Sequence, residues 1–312
     1  MTTIFTHHDA DGVTSAYFTS FALEDPQIVI TKKFGETKDW EDGDYMTDMR
    51  PDNPKVKGTV IDHHLPHPKE RNYELITHLE ENGYNAPASL VAWQEFKDKI
   101  PKEHWWKLAI GVVGDGQPEK IPAEVIKEHP ILMKKVPTSA FTRYGKITIN
   151  SYPLYNMLSS GINALLRCGE YDEAMNQMML APHPLALYQS SKIKKYKRKV
   201  STEFDRIVGT ARSSDGTKDI YTFGDLVVIF FKSNLRMTGY ISSRLQDSFD
   251  NKTLLSIEEA SGSMSLRGDL SLYYRDILNT LDYVDLDGHP GFMGGTFTGT
   301  KGKMIEDLLE ML

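Results

Sequence analysis

Near the N-terminus, two short apolar runs each break abruptly into histidine and aspartate. Thr3-Ile4-Phe5-Thr6 leads into His7-His8-Asp9-Ala10-Asp11-Gly12, and Thr59-Val60-Ile61 leads into Asp62-His63-His64. Short runs of β-branched and aromatic residues read as strands. Three titratable residues directly behind a strand are poor core design unless they serve a site. Residues 13–23 have the apolar spacing of a helix, residues 28–30 and 56–61 read as strands, and residues 88–96 and 105–113 read as helices. This alternation predicts an α/β fold built on a parallel sheet with helices on both faces. Such sheets bind ligands at the carboxyl ends of their strands, which is where both clusters fall.

The chemistry of the clusters narrows the ligand. His7, Asp9 and Asp11 put one imidazole and two carboxylates within five positions, with Gly12 to allow a sharp turn. A mixed nitrogen and oxygen set suits Mn²⁺, Fe²⁺, Co²⁺ or Zn²⁺ better than Ca²⁺. The plainer alternative is a solvated turn in which one aspartate caps the following helix. Two lone carboxylates complete a plausible set: Asp48 behind Asp44-Tyr45-Met46-Thr47, and Asp115 behind the apolar stretch 108–114. Asp42, Asp44 and Asp52 compete with Asp48. His67, His78, His104, His129 and His183 show no partner pattern and read as surface or ordinary core residues.

Further along, residues 151–180 are rich in Leu and Met at helical spacing and read as core helices. Residues 191–200 then carry six basic side chains in ten positions, either a solvated helix or a strip that holds a nucleic-acid backbone. A chain of 312 residues is expected to form two domains. The composition changes at the basic stretch, so the expected division is 1–185, a helical linker 186–207, and a smaller α/β domain 208–312. In that domain, strands are expected at 226–231, 254–258 and 263–266, and helices at 239–245, 270–281 and 304–312.

The acidic residues outnumber the basic ones by 43 to 36, a formal charge of −7, which weighs against broad electrostatic binding to duplex nucleic acid. The single cysteine, Cys168, excludes an intramolecular disulfide and a Cys-rich zinc site and fits a reducing, cytoplasmic compartment. No run of 18 apolar residues predicts a membrane span. The first residues lack the basic and apolar segments of a signal peptide.

Taken in order, His-x-Asp-x-Asp-Gly at 7–12, the lone Asp48, Asp-His-His at 62–64 and Gly-x-x-Gly-Asp at 111–115 resemble the DHH phosphoesterase superfamily. That group includes the RecJ exonucleases, the nano-RNA phosphodiesterases and the family II pyrophosphatases. Ser263-Met264-Ser265-Leu266-Arg267, followed by a helix and then by residues 287–295, is similar to the family's DHHA1 substrate domain. The histidine two positions before the first aspartate is most similar to the nano-RNA branch. The resemblance implies two Mn²⁺ ions, one on His7, Asp9 and a bridging Asp48, the other on Asp11, Asp48, His63 and Asp115. It further implies that His64 touches the scissile phosphate, that Asp62 orients His63, and that Ser265, Arg267, Gly288 and His289 hold the far end of the substrate. The implied activity is hydrolysis of short single-stranded oligonucleotides or dinucleotides to mononucleotides, with a second copy of the chain as a partner in a homodimer. Alternatives within the class are a cyclic dinucleotide phosphodiesterase, a 3′-phosphoadenosine phosphate phosphatase and a single-strand DNA exonuclease. Outside it stands a non-catalytic scaffold that binds single strands.

Overall fold

The apolar runs form strands. In the computed structural model, which describes residues 1–31, 33–64, 67–78, 86–141, 147–211, 219–246, 249, 252–289 and 291–312, the chain divides into two compact units, Met1–Lys197 and Arg198–Leu312. The first unit runs β1 (Thr3–Thr6), α1 (Ala10–Ser20), β2 (Gln27–Ile30), β3 (Asp44–Thr47), β4 (Gly58–Ile61) and β5 (Glu74–Ile76). It continues with α2 (Ala88–Phe96), α3 (Leu108–Gly114), α4 (Ala123–Glu128), the hairpin β6 (Lys135–Phe141) and β7 (Ile147–Pro153), α5 (Leu154–Arg167), α6 (Tyr171–Leu180) and α7 (Pro184–Gln189). Helix α8 (Ser191–Ala211) carries the basic stretch and contains the division between the units.

Strands β1 to β5 form an all-parallel sheet in the order β2-β1-β3-β4-β5. One face, carrying Ile4 and Ile61, joins Val13, Val91, Trp93, Trp106, Ile110 and Leu158 in the main core. The opposite face, with Phe5, Met46 and Val60, packs on Met49 and Tyr73 and on the partly buried Trp40 and Val56. The helices expected on both faces therefore gather, among the described residues, on one. The reason is local: the links after β2, β3 and β4 carry Gly35, Gly43, Pro51, Pro54 and Pro68 and lack a helical apolar period. These links become the loops that shape the site.

Helix α3 lies tightly against α1 and α2 because two of its residues have no side chain. A Cβ on Gly111 would stand 2.3 Å from Ser89 Oγ, and one on Gly114 2.6 Å from Ala10 Cβ. That close approach brings the residue after α3, Asp115, to the start of α1.

The second unit comprises β8 (Ile220–Phe223), β9 (Leu226–Phe231), α9 (Thr238–Gln246), β10 (Thr253–Glu258), β11 (Ser263–Arg267), α10 (Ser271–Leu278), β12 (Val284–His289), β13 (Phe292–Phe297) and α11 (Lys301–Met311). Its six-stranded sheet has the order β12-β13-β11-β10-β9-β8, with only β9 and β10 parallel. Residues 287–289 belong to β12 and residues 292–295 to its antiparallel partner β13, with Gly288 opposite Met293 and His289 opposite Phe292. Among the described residues no helix is long and apolar enough to cross a membrane.

Candidate metal centre

Register decides where the site residues emerge. Thr6 of β1 pairs with Thr47 of β3, and Thr47 pairs with Ile61 of β4. All three strands point the same way and end level, so the next residues, His7, Asp48 and Asp62, leave the sheet in a row with Asp48 in the middle. Asp48 has φ +58°, a left-handed conformation that few side chains other than Asn and Asp adopt readily. Its N–H donates to Ile61 O at 2.9 Å, which ties the turn to the neighbouring strand.

Asp48 lies between the two histidine clusters. Its Oδ2 is 3.4 Å from His7 Nδ1, and its Oδ1 is 3.1 Å from His63 Nε2. It is only 1% exposed, and neither carboxylate oxygen finds a hydrogen-bond donor in proper geometry. A buried carboxylate is normally well bonded, so these two oxygens are placed for a cation. Two groups of side chains have ligand atoms within 4.8 Å of one another, His7 with Asp9 and Asp48, and Asp48 with His63 and His64. Each could hold a metal ion, and Asp48 belongs to both. Its competitor Asp44 sits at the other end of β3, where it accepts from the N–H groups of Thr3 and Glu41, both at 2.8 Å.

The paired aspartates of the first cluster do two jobs each. Asp9 caps α1, accepting from Gly12 N at 2.9 Å through Oδ1, while its Oδ2 lies 3.0 Å from His7 Nδ1. Asp11 faces the start of α2, whose cap position is Pro87 and supplies no side-chain hydrogen bond. Asp11 fills that role from outside, accepting from Ala88 N at 2.8 Å, from Ser89 N at 3.1 Å and from the Ser89 hydroxyl. The same carboxylate stands 3.9 Å from His63 Nε2. Asp115 reaches the other ring nitrogen, with Oδ2 3.8 Å from His63 Nδ1, and is held by Gln117 Nε2.

Asp62 works differently from the sequence-based expectation. It accepts from the backbone N–H groups of His63 at 2.8 Å and His64 at 3.2 Å, and it orients the ring of His64, not that of His63, through Nδ1 at 2.7 Å. Its second oxygen lies 3.1 Å from Nε2 of His67, whose Nδ1 meets the Tyr73 hydroxyl at 2.9 Å. His67, read from the sequence as an ordinary residue, is thus a buried support of the site. No periodicity could have shown it, because the contact depends on how the link after β4 folds back.

The electrostatics show how crowded the centre is. Burial pulls the His7 ring down, but the carboxylates of Asp9 and Asp48 outweigh it and hold it up at about 10. His63 is also raised, with Asp48 and Asp115 prevailing over burial. Burial, then the carboxylates of Asp48 and Asp115, lifts Asp11 well above the usual carboxylate range. Burial, assisted by Asp48 and opposed by His63, pushes Asp115 up to about 6. For Asp62, burial loses to His64 and His67, which hold the group far below that range. Imidazoles and carboxylates that share protons in this way are a set that a divalent cation fits, since it displaces the ring protons and neutralises the acids.

The four residues expected to grip substrate gather at one end of the second sheet. Arg267, Phe292 and His289 fall in one row across β11, β13 and β12, and Leu266, Met293 and Gly288 in the next. Arg267 Nη1 donates to the carbonyls of Leu266 at 3.0 Å and Met293 at 2.8 Å. Ser265 Oγ is buried without a hydrogen-bond partner, and a Cβ on Gly239 of α9 would lie 3.9 Å from it and 3.4 Å from Arg267 Nη2. The side chain of His289 lies outside the described residues.

No protein-family model and no curated protein matches the chain. Among solved structures it is similar to RecJ of Thermus thermophilus in complex with Mn²⁺, at 16% identity and TM-score 0.64, covering 99% of this chain and 51% of that one. It is similar to the DHH domain of a protein described as a member of a ribosomal-protein family, at 12% identity and TM-score 0.66, covering 99% and 85%. A third is the pGpG-specific phosphodiesterase PggH of Vibrio cholerae, at 16% identity and TM-score 0.51, covering 100% and 98%. The chain spans about half the length of the Thermus RecJ. At these identities the likeness is one of fold.

Proposed function

From a chain with the fold of the DHH superfamily, we propose a Mn²⁺-dependent phosphodiesterase that cuts very short oligonucleotides, nano-RNA among them, to mononucleotides. The observation that carries this reading is Asp48, buried, with neither oxygen in a well-aligned hydrogen bond, and shared by two potential metal groups. His7, Asp9 and Asp48 would hold one ion; Asp48 and His63, which group with His64, would hold the other, with Asp11 and Asp115 beside the His63 ring as further ligands. Two divalent ions supply a water of lowered pKa and neutralise charge on the phosphoryl oxygens. The rest falls to the protein's own groups. Asp62 accepts from Nδ1–H of His64 and its charge favours the protonated ring, whose Nε2–H would donate to an oxygen of the scissile phosphate. Ser89 and the start of α2 hold Asp11 in place, and Gln117 holds Asp115.

The Thermus RecJ structures in complex with Mn²⁺ and with Mg²⁺ support a divalent metal, and the pGpG specificity of PggH supports a short substrate. We propose that Arg267, in the second unit, contacts a substrate phosphate through the fork geometry that suits that group. Arg267→Ala is expected to lower kcat/KM for dinucleotides by about 100-fold while bis(4-nitrophenyl) phosphate, which carries no nucleotide for Arg267 to contact, loses less than about threefold. Equal losses on both substrates would assign Arg267 to the fold.

The direct test is a rate comparison. Chelation should abolish hydrolysis and Mn²⁺ restore it. Dinucleotides should outpace longer single strands, cyclic dinucleotides and 3′-phosphoadenosine phosphate by about tenfold or more. Fastest turnover of long single-stranded DNA would instead support the second reading, a RecJ-like exonuclease, which the RecJ fold likeness favours. A chain that binds no Mn²⁺ and hydrolyses nothing is the non-catalytic scaffold.

A further inference from the structure

Beside the metal centre, the links after β2, β3 and β4 line an open hollow of ≈ 410 Å³ formed by Phe34, Arg50, Pro51, Asp52, Pro54 and Pro68. We propose that this hollow is a base-binding subsite in which Phe34 stacks on the nucleobase next to the scissile phosphate. The inference deepens the phosphodiesterase reading and rests on it for the position of that phosphate.

Three observations carry it. The first is the placement of an aromatic ring where apolar exposure is otherwise unhelpful. Phe34 is 46% exposed, yet its ring stands edge-on to both His7 and His64, at centroid distances of 5.6 Å and 5.2 Å. It therefore touches both potential metal groups and also borders the hollow. The second is that the loop is fixed. Gly35 has φ +71°, and a Cβ there would lie 2.2 Å from Arg50 O, so only glycine lets the loop come this close. Asp52 N donates to Gly35 O at 2.7 Å, Thr37 Oγ1 donates to the Asp52 carboxylate, and Gly35 N approaches Met49 Sδ at 3.3 Å. Phe34 is thus tied to the segment that begins at Asp48. The third is the chemistry of the lining. Flat apolar rings from Phe34 and three prolines suit a planar aromatic ligand, and the charged groups of the lining are the Arg50 guanidinium and the Asp52 carboxylate, the latter engaged by Thr37 Oγ1. A nucleobase is such a ligand, and stacking accepts any base because each has a π-face. The volume is within the range of pockets for small ligands.

The test uses the Mn²⁺-loaded full chain and two ligands, 2-aminopurine riboside 5′-monophosphate and ribose 5-phosphate. Quenching of the 2-aminopurine fluorescence reports stacking, and calorimetry gives both Kd values. Phe34→Ala is expected to raise the Kd of the nucleotide about 10-fold and to remove most of the quenching, whereas Phe34→Tyr stays within about threefold and the Kd of ribose 5-phosphate within about twofold. An unchanged nucleotide Kd in Phe34→Ala, or no quenching by the wild type, places the base elsewhere and overturns the subsite. An equal loss for both ligands overturns it too, making Phe34 a support for His7 and His64. Retained Mn²⁺ stoichiometry in each variant shows that the centre is intact. If the nucleotide binds through Phe34 while no dinucleotide is hydrolysed, the subsite stands and the proposed activity falls.

Discussion

Asp48→Asn is expected to bind one Mn²⁺ in place of two and to lose about 10³-fold or more in kcat. Asparagine keeps the shape of the side chain and tolerates φ +58°, so the loss reports charge and not backbone strain. The size follows from repulsion. Two dications at about 4 Å, the usual spacing of paired-metal sites, repel by about 17 kcal/mol even at an effective dielectric of about 20. Asp48 is the carboxylate placed to offset it, with one oxygen toward His7 and the other toward His63. Calorimetric titration of Mn²⁺ gives the stoichiometry directly. Asp44→Asn is the control: it loses an acceptor for one backbone N–H at the far end of β3 and should cost about 1–2 kcal/mol of stability while still binding two ions. The reverse pattern, with Asp44→Asn inactive and Asp48→Asn binding two ions, would shift the motif by one strand length.

The second large effect is expected at Asp62. Asp62→Ala removes the acceptor of two backbone N–H groups and of the His64 ring, and strips His67 of its carboxylate. The donors left behind are buried or partly buried, so unfolding free energy should fall by about 3 kcal/mol. Turnover should fall about 100-fold, because His64 loses the partner that orients it. His67→Phe keeps an aromatic ring but removes both ring nitrogens, and should reproduce part of the stability loss with a smaller change in kcat. Urea unfolding alongside steady-state kinetics separates these effects. A fully stable Asp62→Ala would mean that the turn holds itself. A His67→Phe variant identical to wild type in both measurements would make the contact to Asp62 incidental.

Legibility differed sharply between neighbouring residues. Strands β1 and β4 and the clusters behind them are readable from the sequence because an apolar run ending in titratable residues is a local pattern. Asp48 is legible only in part: its place behind a short extended segment is local, but Asp42, Asp44 and Asp52 offer the same residue type nearby. The capping role expected for one aspartate of the first cluster falls to both of them, and each also lies near a histidine ring. Asp9 caps its own helix and pairs with His7, and Asp11 caps α2 while facing His63.

The chemistry of the centre, its residue types and its position behind strands were set by the order of amino acids alone, since strand propensity and side-chain chemistry act over a few positions. Which side chains meet was set by the sheet order β2-β1-β3-β4-β5 and by the loops that cover its second face. Asp11 finds the start of α2 across 77 positions, and Asp48 stands between His7 and His63 because β3 lies between β1 and β4. The docking of Phe34 beside both histidines depends on one glycine that lets two loops touch. Contacts of this kind arise from many burial and hydrogen-bonding terms satisfied at once, and no short window of sequence contains them.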